Sequence, residues 1–84
     1  MTAISLPLKL PEVPVGAHST IVSFADDAPR HVALRLQSLG FRTGNVILKI
    51  GAAPLGDPVV YRLLGYDMCL RNHEARHIHV MVTT

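Results

Sequence analysis

The fold is decided by the stretch APLGDPVVYRLLGYDMCLR, which spans residues 53–71. Pro54 and Gly56 predict a tight turn, because proline presets a negative φ and glycine accepts a positive one. The residues after this turn alternate in polarity up to Gly65 and again beyond it, which predicts two antiparallel strands. One face of this hairpin is largely apolar and needs a cover; the residues on it are Val59, Tyr61 and Leu63, then Met68 and Leu70.

The rest of the chain supplies that cover. A proline-rich arm over residues 1–15 is expected to lie extended on the core. We predict a helix over residues 29–39, started by Asp26 or Asp27 as a cap and ended by Gly40, with an apolar face of Val32, Leu36 and Leu39. The remaining predicted elements are strands over residues 17–24, 45–50 and 78–82, and a short helical turn over residues 72–77 with Asn72 as its cap.

The strand over residues 45–50 is predicted to point Val46, Leu48 and Ile50 inward, and Ile47 and Lys49 outward. The tally is about five short antiparallel strands and one real helix. Such strands close most easily into a small barrel, because closure removes exposed edges. The sequence therefore predicts one mainly β domain over residues 1–84.

Composition limits the function classes. The net charge is only +2 and the basic residues are scattered, which does not favour nucleic-acid binding. Apolar residues make up 49% and charged residues 17% of the chain, so an exposed apolar patch is expected. The N-terminus is not typical of a signal peptide, no apolar run suits a membrane span, and Cys69 is the lone cysteine. These features predict a cytoplasmic protein.

The sequence offers no catalytic set. The turn at residues 56–58 lacks the Lys-Ser/Thr and the helix of a phosphate-binding loop. Cys69 is expected to be a small buried hydrophobe among apolar neighbours, which is not the setting of a reactive thiol. We therefore predict that the chain is not an enzyme and requires no cofactor.

Histidines stand out in this plain composition. His73 and His77 are four residues apart, so on a helix they share a face and can reach one metal ion, with Glu74 as an oxygen ligand. This pattern predicts a Zn²⁺ or Fe²⁺ site, completed by a third ligand or by a symmetry mate in a metal-bridged homodimer. The alternative is that these residues are ordinary polar side chains of a solvated turn.

Several residues of the hairpin region are candidates for contact with a partner. Leu55 at the turn tip would be exposed without structural need, which favours a contact role for it and its neighbours Gly56 and Asp57. Tyr61 and Tyr66 are either a peptide-binding platform or packing residues of the core and turn. The helix over residues 29–39 is a second candidate face.

The chain resembles the ferrous iron transport protein A (FeoA) family across nearly its whole length. The resemblance rests on three motifs: Leu39-Gly40-Phe41 with Gly44, the Pro-Leu-Gly-Asp-Pro turn at residues 54–58, and Leu70-Arg71 followed by Glu74-Ala75. It implies an SH3-like barrel in the cytosol that docks on the ferrous iron permease FeoB, a membrane protein with a GTP-binding part, and so meets the membrane only indirectly. The alternatives are a histidine-based metal sensor and a small-barrel nucleic-acid binder.

Overall fold

The structure is a computed structural model that describes residues 6–83. Within these residues the chain forms six strands, two α-helices and one 3-10 turn at Leu10–Glu12. In chain order they are β1 (Leu8–Lys9), β2 (His18–Phe24), α1 (Arg30–Ser38), β3 (Val46–Ala52), β4 (Val59–Leu63), β5 (Tyr66–Leu70), α2 (Asn72–Ala75) and β6 (Ile78–Val82).

All neighbouring strands are antiparallel and form one sheet in the order β1-β6-β2-β3-β4-β5. The predicted mainly β fold with one real helix and one short helical turn is confirmed. A sixth strand comes from the arm, where Leu8 pairs with Val80 at the sheet edge. Proline flanks confine the arm to this edge position, as expected. Its residues 1–5 lie outside the described range.

The predicted hairpin and its buried face are confirmed. Leu63 pairs with Tyr66 across a turn formed by Leu64 and Gly65, which have φ values of 54° and 82°. Positive φ at both central residues defines a type I′ turn, whose twist matches the right-handed twist of the two strands that it joins. The buried residues of the hairpin share one hydrophobic core with residues of β2, β3 and β6; those of the hairpin are Val59, Tyr61, Leu63 and Leu70.

Helix α1 has nearly the predicted bounds, but its start differs. Pro29 occupies the cap position and no side chain caps the helix, so the prediction of Asp26 or Asp27 as a cap is wrong. Residues 25–28 form their own turn, closed by Ala28 N–H donating to the Ala25 carbonyl at 3.0 Å. Only Leu36 of this helix is fully buried, and Leu39 of the predicted apolar face is partly exposed.

Strand β3 shows its faces the other way round from the prediction. Ile47 and Lys49 are buried, whereas Val46 is exposed and Leu48 is half-buried. Lys49 tolerates this position because its Nζ donates to the Pro11 carbonyl oxygen at 3.0 Å, and burial lowers the pKa of its ammonium group. The lysine thus ties the 3-10 turn of the arm to the sheet.

Candidate functional site

The loop over residues 53–58 is a rigid turn that its own backbone closes. Gly56 N–H donates to the Ala53 carbonyl at 2.7 Å, and Ala53 N–H donates to the Pro58 carbonyl at 3.0 Å. Gly56 has a φ of 84°, a conformation that side-chain-bearing residues rarely adopt. The predicted tight turn is therefore confirmed in its geometry.

Asn72 anchors this loop to the start of α2. Its backbone N–H donates to Asp57 Oδ1 at 3.0 Å, and its side-chain Nδ2 donates to the Gly56 carbonyl at 3.0 Å. The sequence predicts Asn72 as the helix cap, but Arg71 occupies that position. The actual task of Asn72 is to hold two consecutive loop residues, a pairing across 16 positions that no local pattern signals.

Leu55 projects from this anchored loop with 96% of its surface exposed. A leucine in contact with water forfeits roughly 2 kcal/mol that burial would supply. Hydrogen bonds hold the backbone on both sides of it, so the point from which the side chain projects is fixed. This arrangement is suited to insertion into an apolar pocket of another molecule.

The two tyrosines have separate roles. Tyr66 is 71% exposed at the start of β5, whereas Tyr61 is fully buried. The prediction of Tyr61 as a contact residue is therefore wrong, and its alternative, core packing, holds. Burial, with a smaller effect from the Asp57 charge, raises the pKa of the Tyr61 phenol to about 12. Its hydroxyl has no hydrogen-bond partner among residues 6–83.

A second apolar surface surrounds the hairpin tip, and no pattern in the sequence predicts it. Leu64 is 63% exposed despite its left-handed backbone, and its side chain lies over Gly40, where an added Cβ would approach Leu64 Cδ1 to 2.8 Å. Gly40 has a φ of 108° and follows the partly exposed Leu39. The end of α1 and the hairpin tip therefore form one apolar surface.

The predicted metal ligands do not converge. Helix α2 ends at Ala75, so His77 lies beyond it, and His77 is buried while His73 is exposed. Glu74 forms an ion pair with Arg35 of α1 instead. No group of three or more His, Cys, Asp or Glu residues within 6–83 is arranged to hold a metal ion. Within one copy of the described chain, His73, Glu74 and His77 therefore form no three-ligand site, and a site completed by a symmetry mate stays a prediction.

His77 lines a cleft of about 400 Å³. The cleft mixes two carboxylates with basic groups, so its charge selects no single class of ligand. The residues that line it are Lys9, Ala25, Asp26, Asp27, Arg76, His77 and His79.

Cys69 is exposed on β5, contrary to the prediction that it is buried. It alternates with Met68 and Leu70, which face the core, so its side chain points to the solvent face of the hairpin. Next to it, Asp67 is paired with Arg62 of β4, with 2.8 Å between Nε and Oδ1. This hydrogen bond lowers the pKa of the Asp67 carboxyl group.

A small, mainly β domain with this antiparallel sheet belongs to the SH3-like class of domains. Residues 8–82 match the family model of the FeoA domain. The chain therefore belongs to the FeoA family, a family of accessory proteins of ferrous iron transport. The predicted family and fold are confirmed.

Individual relatives agree with this assignment. The NMR structure of a FeoA-like protein from Clostridium acetobutylicum is 30% identical, with a TM-score of 0.86 over 96% of this chain and 92% of that one. The zinc complex of Stenotrophomonas maltophilia FeoA, described as a prokaryotic SH3 domain protein, is 27% identical, with a TM-score of 0.75 over 90% of this chain and 89% of that one.

A curated relative from Porphyromonas gingivalis is a fusion of Fe(2+) transport protein A with the Fe(2+) transporter FeoB. It is 41% identical over 46 residues, which are 55% of this chain and 6% of that protein. The chain thus matches a small part of a much longer polypeptide. Within residues 6–83, no helix is both long and apolar enough to cross a bilayer.

Proposed function

We propose that this chain is a cytoplasmic, non-catalytic accessory protein of ferrous iron uptake that docks on the GTP-binding part of the permease FeoB. The proposed contact is the loop over residues 53–58, with Leu55 at its centre. The observation that carries the proposal is the 96% exposure of Leu55 on a loop that four hydrogen bonds hold, two within the loop and two from Asn72.

Rigidity matters here because association must offset the ordering of every group that it immobilises. The loop is ordered before any partner arrives, so insertion of Leu55 adds apolar burial at small entropic cost. Gly56 and Asp57 contribute through their backbone and carboxylate hydrogen bonds, which fix the direction of Leu55. Tyr66 supplies a further exposed aromatic contact, and Tyr61 is excluded by its burial.

FeoB is the proposed partner because a relative carries the two proteins as one polypeptide. Covalent linkage raises the effective concentration of the two parts to about the millimolar range, so a modest interface suffices for docking. In a separate chain the same contact depends on concentration, which makes docking a step that the cell can regulate.

The test is calorimetric titration of this protein with the soluble GTP-binding part of its own permease. Runs contain GDP or a GTP analogue, each with and without Fe²⁺ under anaerobic conditions. We expect saturable one-to-one binding in at least one condition. Leu55→Asp should weaken it by about 10- to 150-fold, the equivalent of losing one buried leucine side chain of about 1.5–3 kcal/mol.

Leu34→Asp is the matched control. Leu34 is an exposed leucine on α1, the other face considered for docking, so its replacement should leave the dissociation constant unchanged. Both variants should melt close to the parent, because exposed side chains contribute within about 0.5 kcal/mol. Absence of binding in every condition refutes the proposal, and a loss caused only by Leu34→Asp moves the contact to α1.

A further inference from the structure

Strand β5 is an open edge of the sheet. It stands last in the strand order and, within the described residues, it pairs with β4 alone. In a two-residue hairpin the pair next to the turn, here Leu63 and Tyr66, exchanges both backbone hydrogen bonds, and the next pair exchanges none. The N–H and C=O groups of Asp67 and Cys69 therefore point away from β4, toward the free edge.

This edge lacks the usual protection against strand pairing. Natural edges are blocked by proline, lysine, bulges or very short strands. β5 is five residues long, contains neither proline nor lysine, and pairs with β4 without a register shift. Its one charged residue, Asp67, forms an ion pair with Arg62, whose Nε and Nη2 donate to the Asp67 carboxylate oxygens at 2.8 and 3.3 Å. Cys69 adds a small uncharged side chain beside the free backbone groups.

Exposed apolar side chains lie at both ends of the edge. Tyr66 and Leu64 mark its start, with 71% and 63% of their surfaces exposed. At its end, Leu70 pairs with Val59, and Asn72 then fastens the Leu55 loop. The five residues of β5, Tyr66 included, span about 16 Å at ~3.3 Å per residue. The free edge is therefore continuous with the loop that docking is argued to use.

We propose that β5 accepts an extended segment of the FeoB GTP-binding part as an added strand of the sheet. The inference rests on the proposed function and specifies its mode of recognition: backbone pairing with Asp67 and Cys69 supplies the contact, and apolar side chains at the two ends of the segment meet Tyr66 and Leu55. Recognition through main-chain groups tolerates variation in the segment's central residues, while the apolar residues at its ends set the register.

The test is amide hydrogen exchange, followed by NMR, on the full chain alone and with the permease domain. In the free protein the amides of Asp67 and Cys69 should exchange fast and that of Met68 slowly, because the N–H of Met68, unlike those two, points toward β4. With free partner at about 100 times the dissociation constant, exchange at Asp67 and Cys69 should slow by about 100-fold.

Cys69→Pro and Cys69→Ala form the matched pair of variants. Proline removes the outward N–H without deleting a bond to β4, and should weaken binding at least tenfold, whereas alanine keeps the N–H and should bind as the parent does. If the proline variant fails to fold, the exchange pattern of the parent decides alone. If binding depends on Leu55 but does not slow amide exchange at Asp67 and Cys69, the proposal of an added strand is overturned and the docking proposal stands. Protection that rises with the concentration of this chain alone assigns the edge to a second copy and also overturns it. Absence of any binding refutes both proposals.

Discussion

Removal of the Tyr61 hydroxyl should not destabilise the domain. The Tyr61 ring is fully buried in the core, and its hydroxyl has no partner among the described residues. An unpaired buried hydroxyl costs about 1–3 kcal/mol, so Tyr61→Phe removes that cost and leaves only a small void. We expect the free energy of unfolding of Tyr61→Phe at neutral pH to equal that of the parent or exceed it by about 1 kcal/mol.

The same hydroxyl predicts a pH dependence with a defined sign. Burial raises the pKa of the Tyr61 phenol to about 12 in the folded chain, from its ordinary value of 10.0. Below pH 10 both states keep the proton, so the full stability is present. Between pH 10 and about 12 the unfolded chain releases the proton and the folded chain retains it, so stability falls. A difference of two pKa units between the folded and unfolded chains corresponds to a loss of at most about 2.7 kcal/mol in the free energy of unfolding.

Urea unfolding followed by far-ultraviolet circular dichroism measures this loss, since the chain has no tryptophan to report by fluorescence. The parent, Tyr61→Phe and Tyr66→Phe are compared at several pH values from 7 to 11.5. The difference between the parent and Tyr61→Phe should widen above pH 10, and Tyr66→Phe should follow the parent. A loss of more than about 1 kcal/mol in Tyr61→Phe at neutral pH would show a satisfied hydroxyl and refute the reasoning.

Three further expectations concern stability. Lys49→Met keeps the buried stem and should unfold within about 1 kcal/mol of the parent, whereas Lys49→Ala loses three methylene groups and about 2 kcal/mol. Because burial lowers the pKa of Lys49, the parent should gain stability relative to Lys49→Met as the pH approaches 10.5, and a flat difference would contradict a buried ammonium group. Leu64→Asn should match or exceed the parent in urea midpoint, since asparagine tolerates a φ of 54°. Leu64→Val should lose more than about 1 kcal/mol of the free energy of unfolding, because a β-branched residue does not tolerate this φ. Equal midpoints for the two variants would argue against the left-handed turn. Glu74→Gln should cost less than about 1 kcal/mol at low salt, and the cost should shrink at high salt if the ion pair with Arg35 supplies it.

The hairpin was predictable because its information is local. Alternation of apolar residues fixes which face is buried, and Gly65 fixes the turn between the strands. The positive φ of Leu64 beside it was not predictable, because leucine rarely adopts this conformation. Leu55 was recognised from its place at the tip of a proline-glycine turn, and the structure confirms that it is exposed.

The errors share a physical origin in contacts between distant parts of the chain. Lys49 is buried because Pro11, 38 positions away, offers a carbonyl oxygen at the end of its stem. The pattern of β3 alone favours the opposite face, since it places a lysine outward and three apolar residues inward. Glu74 likewise meets Arg35 of another helix, a contact that the spacing of His73 and His77 cannot reveal.

Cys69 gives this chain an intrinsic labelling site. It is the one cysteine in the sequence and it is exposed in the free edge strand. A maleimide fluorophore or a nitroxide spin label therefore attaches to the unmodified protein at a single position, with no cysteine to remove and none to introduce. Fluorescence anisotropy or electron paramagnetic resonance line shapes from that label would report occupancy of the strand edge directly, in a mixture with full-length permease in detergent or nanodiscs.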